Sequence, residues 1–245
     1  MQTPRTDQAL MVMLARSEGD VRAAQRLRWD VFVDELGARI DTLEPGLDSD
    51  RFDAHCDHLL VREIATGDVV GTYRMLPPER VGRVGGFYAE SEFHLAHSLA
   101  LRRRAVEVGR ACVRADHRTG AVIALLWSGL LRYLVDRGHE FVVGCASIGL
   151  GDDPRPAAAL CRRLVREHSS PPDWRVFPRR PLPCDPPHDA IPAPLPPLVK
   201  GYLRLGAWVC GEPAWDPDFA TADLLLLLPM ERLSRRHAAR LLRAA

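Results

Sequence analysis

Between Ala105 and Gly138 the chain does three things in succession. An alternating apolar run (Ala105-Val106-Glu107-Val108-Gly109-Arg110-Ala111-Cys112-Val113) leads into a basic turn, Arg118-Thr119-Gly120, and then into a long helix-forming segment that Gly138 closes. The succession predicts a strand, a tight turn and a helix. A strand delivered straight into a helix needs a sheet for the one and a covered face for the other, so the chain is restricted to an α/β arrangement. The flanking segments agree. Ala9 to Ala15 reads as a first strand, and Ser17 with Asp20 three residues later marks a helix start. Val21, Ala24, Leu27, Val31 and Phe32 continue that helix to Gly37. Cys56 to Val61 and Val69 to Leu76, joined through Thr66-Gly67-Asp68, make a hairpin. Further expectations are a short helix over Glu92 to Leu99, a strand over Phe141 to Ala146, and helices from Pro156 to Glu167 and Leu198 to Gly206. Val209 to Gly211 follows, then a buried strand from Ala222 to Leu228 and a basic helix from Glu231.

With 245 residues, 47% of them hydrophobic, the chain carries enough apolar material for a core and is read as one domain over 1–245. Eleven of its 20 prolines fall in 169–197. That stretch is neither a regular helix nor a central strand; it is a semi-rigid linker or an arm wrapped on the core. Lys+Arg 33 against Asp+Glu 32 leaves a net charge of +1, so no chain-wide field favours nucleic acid, and any anion contact is local. Six cysteines without a C-x-x-C pair fit a reducing compartment and no metal site. The apolar stretch from Ala121 to Val135 is broken by Ser128, Gly129 and Arg132, short of the roughly 20 residues that span a bilayer. A cytoplasmic protein is expected, with transient contact at the inner membrane.

Three constellations bear chemistry. The turn before the long helix aims free backbone N–H groups and a positive dipole end at one point, where Arg114, Arg118, Thr119 and Gly120 could surround a phosphate. Such turns also occur with no ligand, and no G-K-[ST] follows to make a Walker loop. Second, Glu107 is a carboxylate inside an apolar strand, costly to bury and hence a candidate base, or else a solvent-facing glutamate. It shares a face with Arg110 only if a bulge, for which Gly109 is the natural place, shifts the alternation. Third, Asp48, Asp50, Asp53 and Asp57, interleaved with Arg51, His55 and His58, could capture an ammonium group or form a solvated loop; the EF-hand register is missing. Arg28 and Glu35, and likewise His94 and His97, read as helix surface. Ser147 has no predictable histidine partner and no G-x-S-x-G elbow. Leu224 to Leu228 reads as core strand.

Several spaced stretches nevertheless resemble one family: R-W-D-V-F-V-D-E-L-G (Arg28 to Gly37), R-F-D-A-H-C-D-H-L-L-V (Arg51 to Val61), V-V-G-T-Y-R-M-L (Val69 to Leu76) and E-V-G-R-A-C-V-R-A-D-H-R-T-G-A-V-I-A-L-L-W-S-G-L (Glu107 to Leu130). G-C-A-S-I-G (Gly144 to Gly149), P-P-L-V-K-G-Y-L-R-L-G-A and D-F-A-T-A-D (Asp218 to Asp223) extend the match. The resemblance is to the GNAT-like ornithine-acyl-carrier-protein N-acyltransferases of ornithine lipid synthesis, once called hemolysin-like. A looser likeness, through Arg28, Phe32, Asp53, Asp57, Arg74, Glu107 and Arg110, is to acyl-homoserine-lactone synthases.

The resemblance implies an α/β GNAT-like fold, its mixed sheet splayed between two parallel strands, with helices on both faces. It implies an N-acyltransferase moving a (3-hydroxy)fatty acyl group from acyl carrier protein to the α-amine of L-ornithine or a similar amino acid, forming a lyso-aminolipid. No permanently bound cofactor is implied. The cosubstrate is the phosphopantetheine thioester of the carrier protein, or acyl-CoA; a separate O-acyltransferase adds any second chain. Glu107 and Arg110 are the implied catalytic residues. Arg114, Arg118, Thr119, Gly120, Ala121 and Ser147 would meet the donor, and Arg28, Asp53, Asp57 and Arg74 the acceptor. The turn lacks the second glycine of the usual R-x-x-G-x-G/A pattern, which favours the single phosphate of a carrier-protein donor. The rival readings are a lactone-synthase-like enzyme and a non-catalytic acyl-carrier or membrane-associating protein.

Overall fold

The computed structural model describes residues 9–42, 44–95, 98–187, 189–234, 236, 238 and 239. Its strands are β1 (Leu10–Leu14), β2 (Asp57–Glu63), β3 (Val69–Leu76), β4 (Phe93–His94), β5 (Ala105–Val113), β6 (Phe141–Gly149), β7 (Phe177–Pro178), β8 (Trp208–Val209), β9 (Ala214–Asp216) and β10 (Thr221–Pro229). The helices are α1 (Glu18–Trp29), α2 (Pro78–Val84), α3 (Ser98–Arg102), α4 (Ala121–Asp136), α5 (Arg155–Glu167) and α6 (Pro197–Leu205). One sheet runs in the order β1-β2-β3-β5-β6-β10-β8, with β9 also paired to β10. Every neighbouring pair in it is antiparallel except β5 and β6.

Local chemistry explains the main elements. The Ser17 hydroxyl accepts from Asp20 N while the Asp20 carboxylate accepts from Ser17 N, the reciprocal cap read from the sequence. After α1 the chain widens into a π-helical turn, Asp30–Glu35, which sends Phe32 and Leu36 into the cleft described below. Helix α4 begins at Gly120, whose φ of 91° is open to glycine and strained for other residues. Its apolar side packs with α5 and α6 on one face of the sheet, against Leu59, Val61, Tyr73, Val106, Val108, Leu224 and Leu226. The opposite face meets α1 through Leu27, the π-helical turn through Val31, and α2 through Val81 and Val84. Since β10 is covered on both faces, its unbroken leucine run is what burial requires.

Three expectations change. No helix begins at Glu92: Phe93–His94 pairs antiparallel with β7, and α3 starts only at Ser98. His94 is exposed, and His97 lies outside the described residues. β6 runs to Gly149 because β10 pairs with it from Pro229↔Phe141 to Thr221↔Gly149. Met230–Arg232 is a 3₁₀ turn, and most of the expected basic helix beyond it lies outside the described residues. The proline-rich segment is an arm laid on the core. Val176 N donates to Cys210 O, Leu182 N to Pro213 O, and Ala193 N to Pro156 O. All six cysteines are free thiols. Among the described residues no helix is long and apolar enough to cross a membrane.

Candidate active site

Two irregularities of β5 make the site. β5 and β6 pair only at Ala105↔Phe141, Val106↔Val142 and Glu107↔Val143, although both strands continue for six residues more. They stay in touch one step further, where a Cβ on Gly144 would meet Val108 O at 2.4 Å, and then part. On its other side, β5 slips against β3 between Arg74↔Gly109 and Thr72↔Cys112. The bulge expected at Gly109 has its left-handed residue one place later, at Arg110 with φ 53°. An arginine in that region is strained and persists only where its surroundings hold it. The shift puts Glu107 and Arg110 on one face, lining a cleft of ≈ 210 Å³.

On one side of this cleft the acidic loop is fully paired. Arg28, read as surface or as acceptor contact, is completely buried. Its Nη2 donates to Asp53 at 2.9 and 3.0 Å, and its Nε lies 3.1 Å from Asp48 Oδ2. Arg74 Nη1 donates to Asp50 Oδ1 at 2.7 Å and reaches Asp53 Oδ1 at 3.3 Å. Arg110 Nε stands 3.2 Å from Asp48 Oδ2, and its guanidinium lies over the Tyr88 and Phe219 rings at 5.1 and 4.8 Å. Three guanidiniums thus neutralise three carboxylates. Burial alone would raise the Asp53 pKa, but Arg28 and Arg74 outweigh it and hold it at about 2. Asp53 is therefore spoken for, and its contacts are protein cations. Asp57 does not line the cleft; it bonds Arg80 Nη1 at 2.9 Å and Tyr133 OH at 2.8 Å. Arg74 and Arg110 do line it.

Glu107 is buried, and its two oxygens accept from Tyr88 N at 2.7 Å and Ala89 N at 2.8 Å. Burial lifts its pKa to about 7 against the pull of those amides, which poises it to gain or lose a proton near neutrality. No hydrogen bond joins it to Arg110 among the described residues.

The same cleft contains a second acidic group that sequence reasoning missed. Glu92, Asp216 and Asp223 bring carboxylate oxygens within 4.8 Å of one another. Asp223 is 3% exposed, and it faces Ser147 across the β10–β6 register. Burial and mutual repulsion push Glu92 upward, and burial pushes Asp223 upward. A signal existed: Asp223 is an acid inside a leucine strand, the same anomaly that singled out Glu107.

The donor turn is built as expected, with its cations engaged. Gly120 opens α4 with no side-chain cap; Ala124 N is the first to donate back, to Gly120 O, so the earlier amides, Ala121's included, point outward. Thr119 is exposed. Arg118 forks onto Glu35 at 2.5 and 2.7 Å, and Arg114 meets Asp116 at 2.8 Å. A second cavity of ≈ 280 Å³, lined by Cys112, Arg118, Gly120, Ile123 and Pro197, borders this turn. It shares Ala111 and Leu198 with the cleft, so the two cavities adjoin. Ser147, on β6, is exposed and lines the cleft.

Residues 27–128 match the family described as Acetyltransferase (GNAT) domain. A Brucella abortus (strain 2308) protein named L-ornithine N(alpha)-acyltransferase is 38% identical over 94% of this chain and 87% of its own length. One of the same name from Rhizobium meliloti (strain 1021) is 38% identical over 93% and 82%. Among solved structures, a CoA-dependent acyl-homoserine lactone synthase with SAM and isopentyl-CoA superposes with a TM-score of 0.55 at 18% identity, over 95% of this chain and 88% of that one. That likeness is one of fold.

Proposed function

Because the chain belongs to the L-ornithine N(alpha)-acyltransferases and is an acyltransferase of GNAT-like fold, we propose that it moves a (3-hydroxy)fatty acyl group from a phosphopantetheine thioester to the α-amine of L-ornithine. The donor is acyl carrier protein, with acyl-CoA as the alternative carrier, and the product is a lyso-aminolipid. The observation that carries this reading is the parting of β5 and β6 beyond Glu107↔Val143. It leaves a strand edge of unpaired amides and carbonyls beside a buried acid, and an extended amide-bearing arm satisfies such an edge.

In this reading the arm's phosphate rests at Thr119, Gly120 and Ala121, with Arg118 and Arg114 turning from their carboxylates to meet it. The thioester then lies near Ser147 and Glu107. The α-amine must be neutral to attack, and Glu107 takes its proton. A C–N bond forms as the carbonyl oxygen becomes an oxyanion, held by a backbone N–H at the bulge. The intermediate collapses with loss of the C–S bond; the proton on Glu107 goes to the departing thiolate, and the second proton shed by the nitrogen passes to solvent. Arg110, supported by Arg74, holds the substrate carboxylate. Asp53 and Arg28 act on the acceptor only by positioning those cations, and Asp57 acts through Arg80. An amphiphilic product is the reason to expect transient membrane contact and a separate O-acyltransferase downstream.

Glu107→Gln tests this directly. The kcat with acyl carrier protein and ornithine falls about 10²–10⁴-fold. In the unaltered protein kcat/KM rises with pH through about 7, as the base form appears, and the variant loses that limb. Full activity in Glu107→Gln, or release of methylthioadenosine from S-adenosylmethionine, excludes the proposal.

A further inference from the structure

The acids Glu92, Asp216 and Asp223 have no part in the proton transfer, and their surroundings are unlike those of any other carboxylate in the cleft. Asp216 Oδ1 accepts from Asp218 N at 2.9 Å and Phe219 N at 3.1 Å, and Asp223 Oδ1 accepts from the Thr221 hydroxyl at 3.0 Å. The two oxygens of Glu92 are buried and meet no cation and no well-formed donor; their neighbours are the Cys145 thiol and the Asp223 carboxyl. Among the described residues no arginine or lysine pairs with any of the three. Arg179 and Arg180 line an adjoining cavity with Glu92 and Asp216 but are engaged elsewhere, Arg179 Nε with Glu90 O at 2.7 Å and Arg180 over the Trp215 ring at 5.7 Å. Three converging acids without a cation leave a place for one from outside.

We infer that Glu92, Asp216 and Asp223 form the subsite for the distal ammonium of an α,ω-diamino acid, and that they fix which of its two amines is acylated. The inference rests on the acylation reading above and deepens it. Cations and acids share one cleft. Arg74 and Arg110 enter it from β3 and β5, and the acids stand across the opening between β5 and β6, Asp223 on β10, Asp216 on β9 and Glu92 just before β4, with Glu107 on β5. An acceptor with its carboxylate on Arg110 and its side-chain ammonium among the acids presents its α-amine between them, toward Glu107. The acids also act on reactivity: an ammonium surrounded by carboxylates keeps its proton and is no nucleophile. The α-amine, beside a guanidinium and a base, loses its proton and attacks. An uncharged side chain of the same length would leave the acids buried and unpaired, which is a strong ground for rejection.

The test is isothermal titration calorimetry of the full-length protein with L-ornithine and with L-norvaline, which has the methylenes but no distal amine. The unaltered protein binds ornithine at least about 10-fold more tightly than norvaline, and Glu92→Gln and Asp216→Asn each remove most of that preference. Two variants guard against a folding failure, and circular dichroism shows which is folded. Equal affinity for the two amino acids, or a preference unmoved in a folded variant, overturns the inference. So does ornithine binding that vanishes with a chelator and returns with a divalent cation, since the acids then hold a metal. Preferential ornithine binding without acyl transfer leaves the subsite standing and removes the acylation reading instead.

Discussion

Two groups of three acids, one lining the cleft and one behind the arginines that line it, differ in one respect. Asp48, Asp50 and Asp53 meet Arg28, Arg74 and Arg110, whereas Glu92, Asp216 and Asp223 meet no cation among the described residues. Asp53 and Asp223 are both removed from water, yet their pKa values move in opposite directions: Asp53 falls to about 2 while Asp223, like its neighbour Glu92, rises. Burial penalises charge in both places, and only a partner reverses the sign. Acids that are already neutralised hold the architecture, here a strained bulge and the arginines that face the cleft. Acids left without a partner cost stability and are the ones available to a ligand. A cluster's composition therefore says little; its pairing says which role it has.

The largest break in this contrast comes from unpairing the paired side. Arg28→Ala takes from Asp48 and Asp53 the fully buried cation they share and leaves each with one longer contact, to Arg110 at 3.2 Å and to Arg74 at 3.3 Å, and about 3–5 kcal/mol of stability is lost. Chemical denaturation measures it. A loss under about 1 kcal/mol, the range of an exposed pair, would show the network to be ornamental.

The opposite substitution sharpens the contrast. Glu92→Gln puts a neutral group there at every pH, so the variant escapes the cost of ionising an acid beside Asp223 and is the more stable protein on the alkaline side. The pH dependence fixes the sign. The pKa of Glu92 is raised on folding, so the native state holds its proton more tightly and stability declines as pH climbs above the ordinary value of 4.5 toward the raised one. Asp53 is lowered from 3.8 to about 2, so its contribution, about 2 kcal/mol, is present above the ordinary value and is lost as pH falls toward 2. Melting temperature followed across pH declines on both sides. Glu92→Gln flattens the alkaline side only, and a variant that leaves that side unchanged refutes the unpaired assignment.

The contrast also explains what the sequence made legible. The cap at Ser17, the long helix opened by Gly120 and the hairpin after Cys56 are written in neighbouring residues and formed as read. The bulge was legible as a requirement, since Glu107 and Arg110 share a face only through one. Its strained residue was placed at Gly109 because local rules favour glycine; at Arg110 the strain is borne by Asp48, Tyr88 and Phe219, which arrive from three remote segments. Asp48, Asp50, Asp53 and Asp57 drew attention because they are adjacent in sequence, but adjacency revealed neither their partners nor the turning away of Asp57 toward Tyr133. The unpaired group was hidden for the converse reason. Glu92 stood in an expected helix, Asp216 in no expected element and Asp223 at the head of a leucine run; the β9–β10 pairing joins the last two, and Glu92 is fixed by the β4–β7 pairing beside it.

The smallest effect tests whether the rule extends to exposed pairs. Arg118 is paired with Glu35, but its side chain is 43% exposed, and such a pair is worth only about 0–1 kcal/mol. It exchanges partners readily, so pairing there does not mark a fixed support. In the proposed donor site a phosphate would compete with Glu35 for Arg118, with the uncapped amides of α4 adding their dipole. Gly120→Asp places a negative charge at that helix end, where like-charge repulsion of about 0.3–1 kcal/mol corresponds to a rise of roughly 2- to 5-fold in the KM for the acyl donor. The left-handed backbone at Gly120 burdens any replacement, and Asn tolerates it about as well as Asp. Gly120→Asn is therefore the control, and the Asp-to-Asn difference isolates charge from strain. The KM for the amino acid stays the same in both, because Gly120 borders the second cavity and not the cleft that holds Glu107. Equal donor KM values for Asp and Asn would mean that no phosphate rests on this turn, and that Glu35 holds Arg118 as firmly as Asp53 holds Arg28.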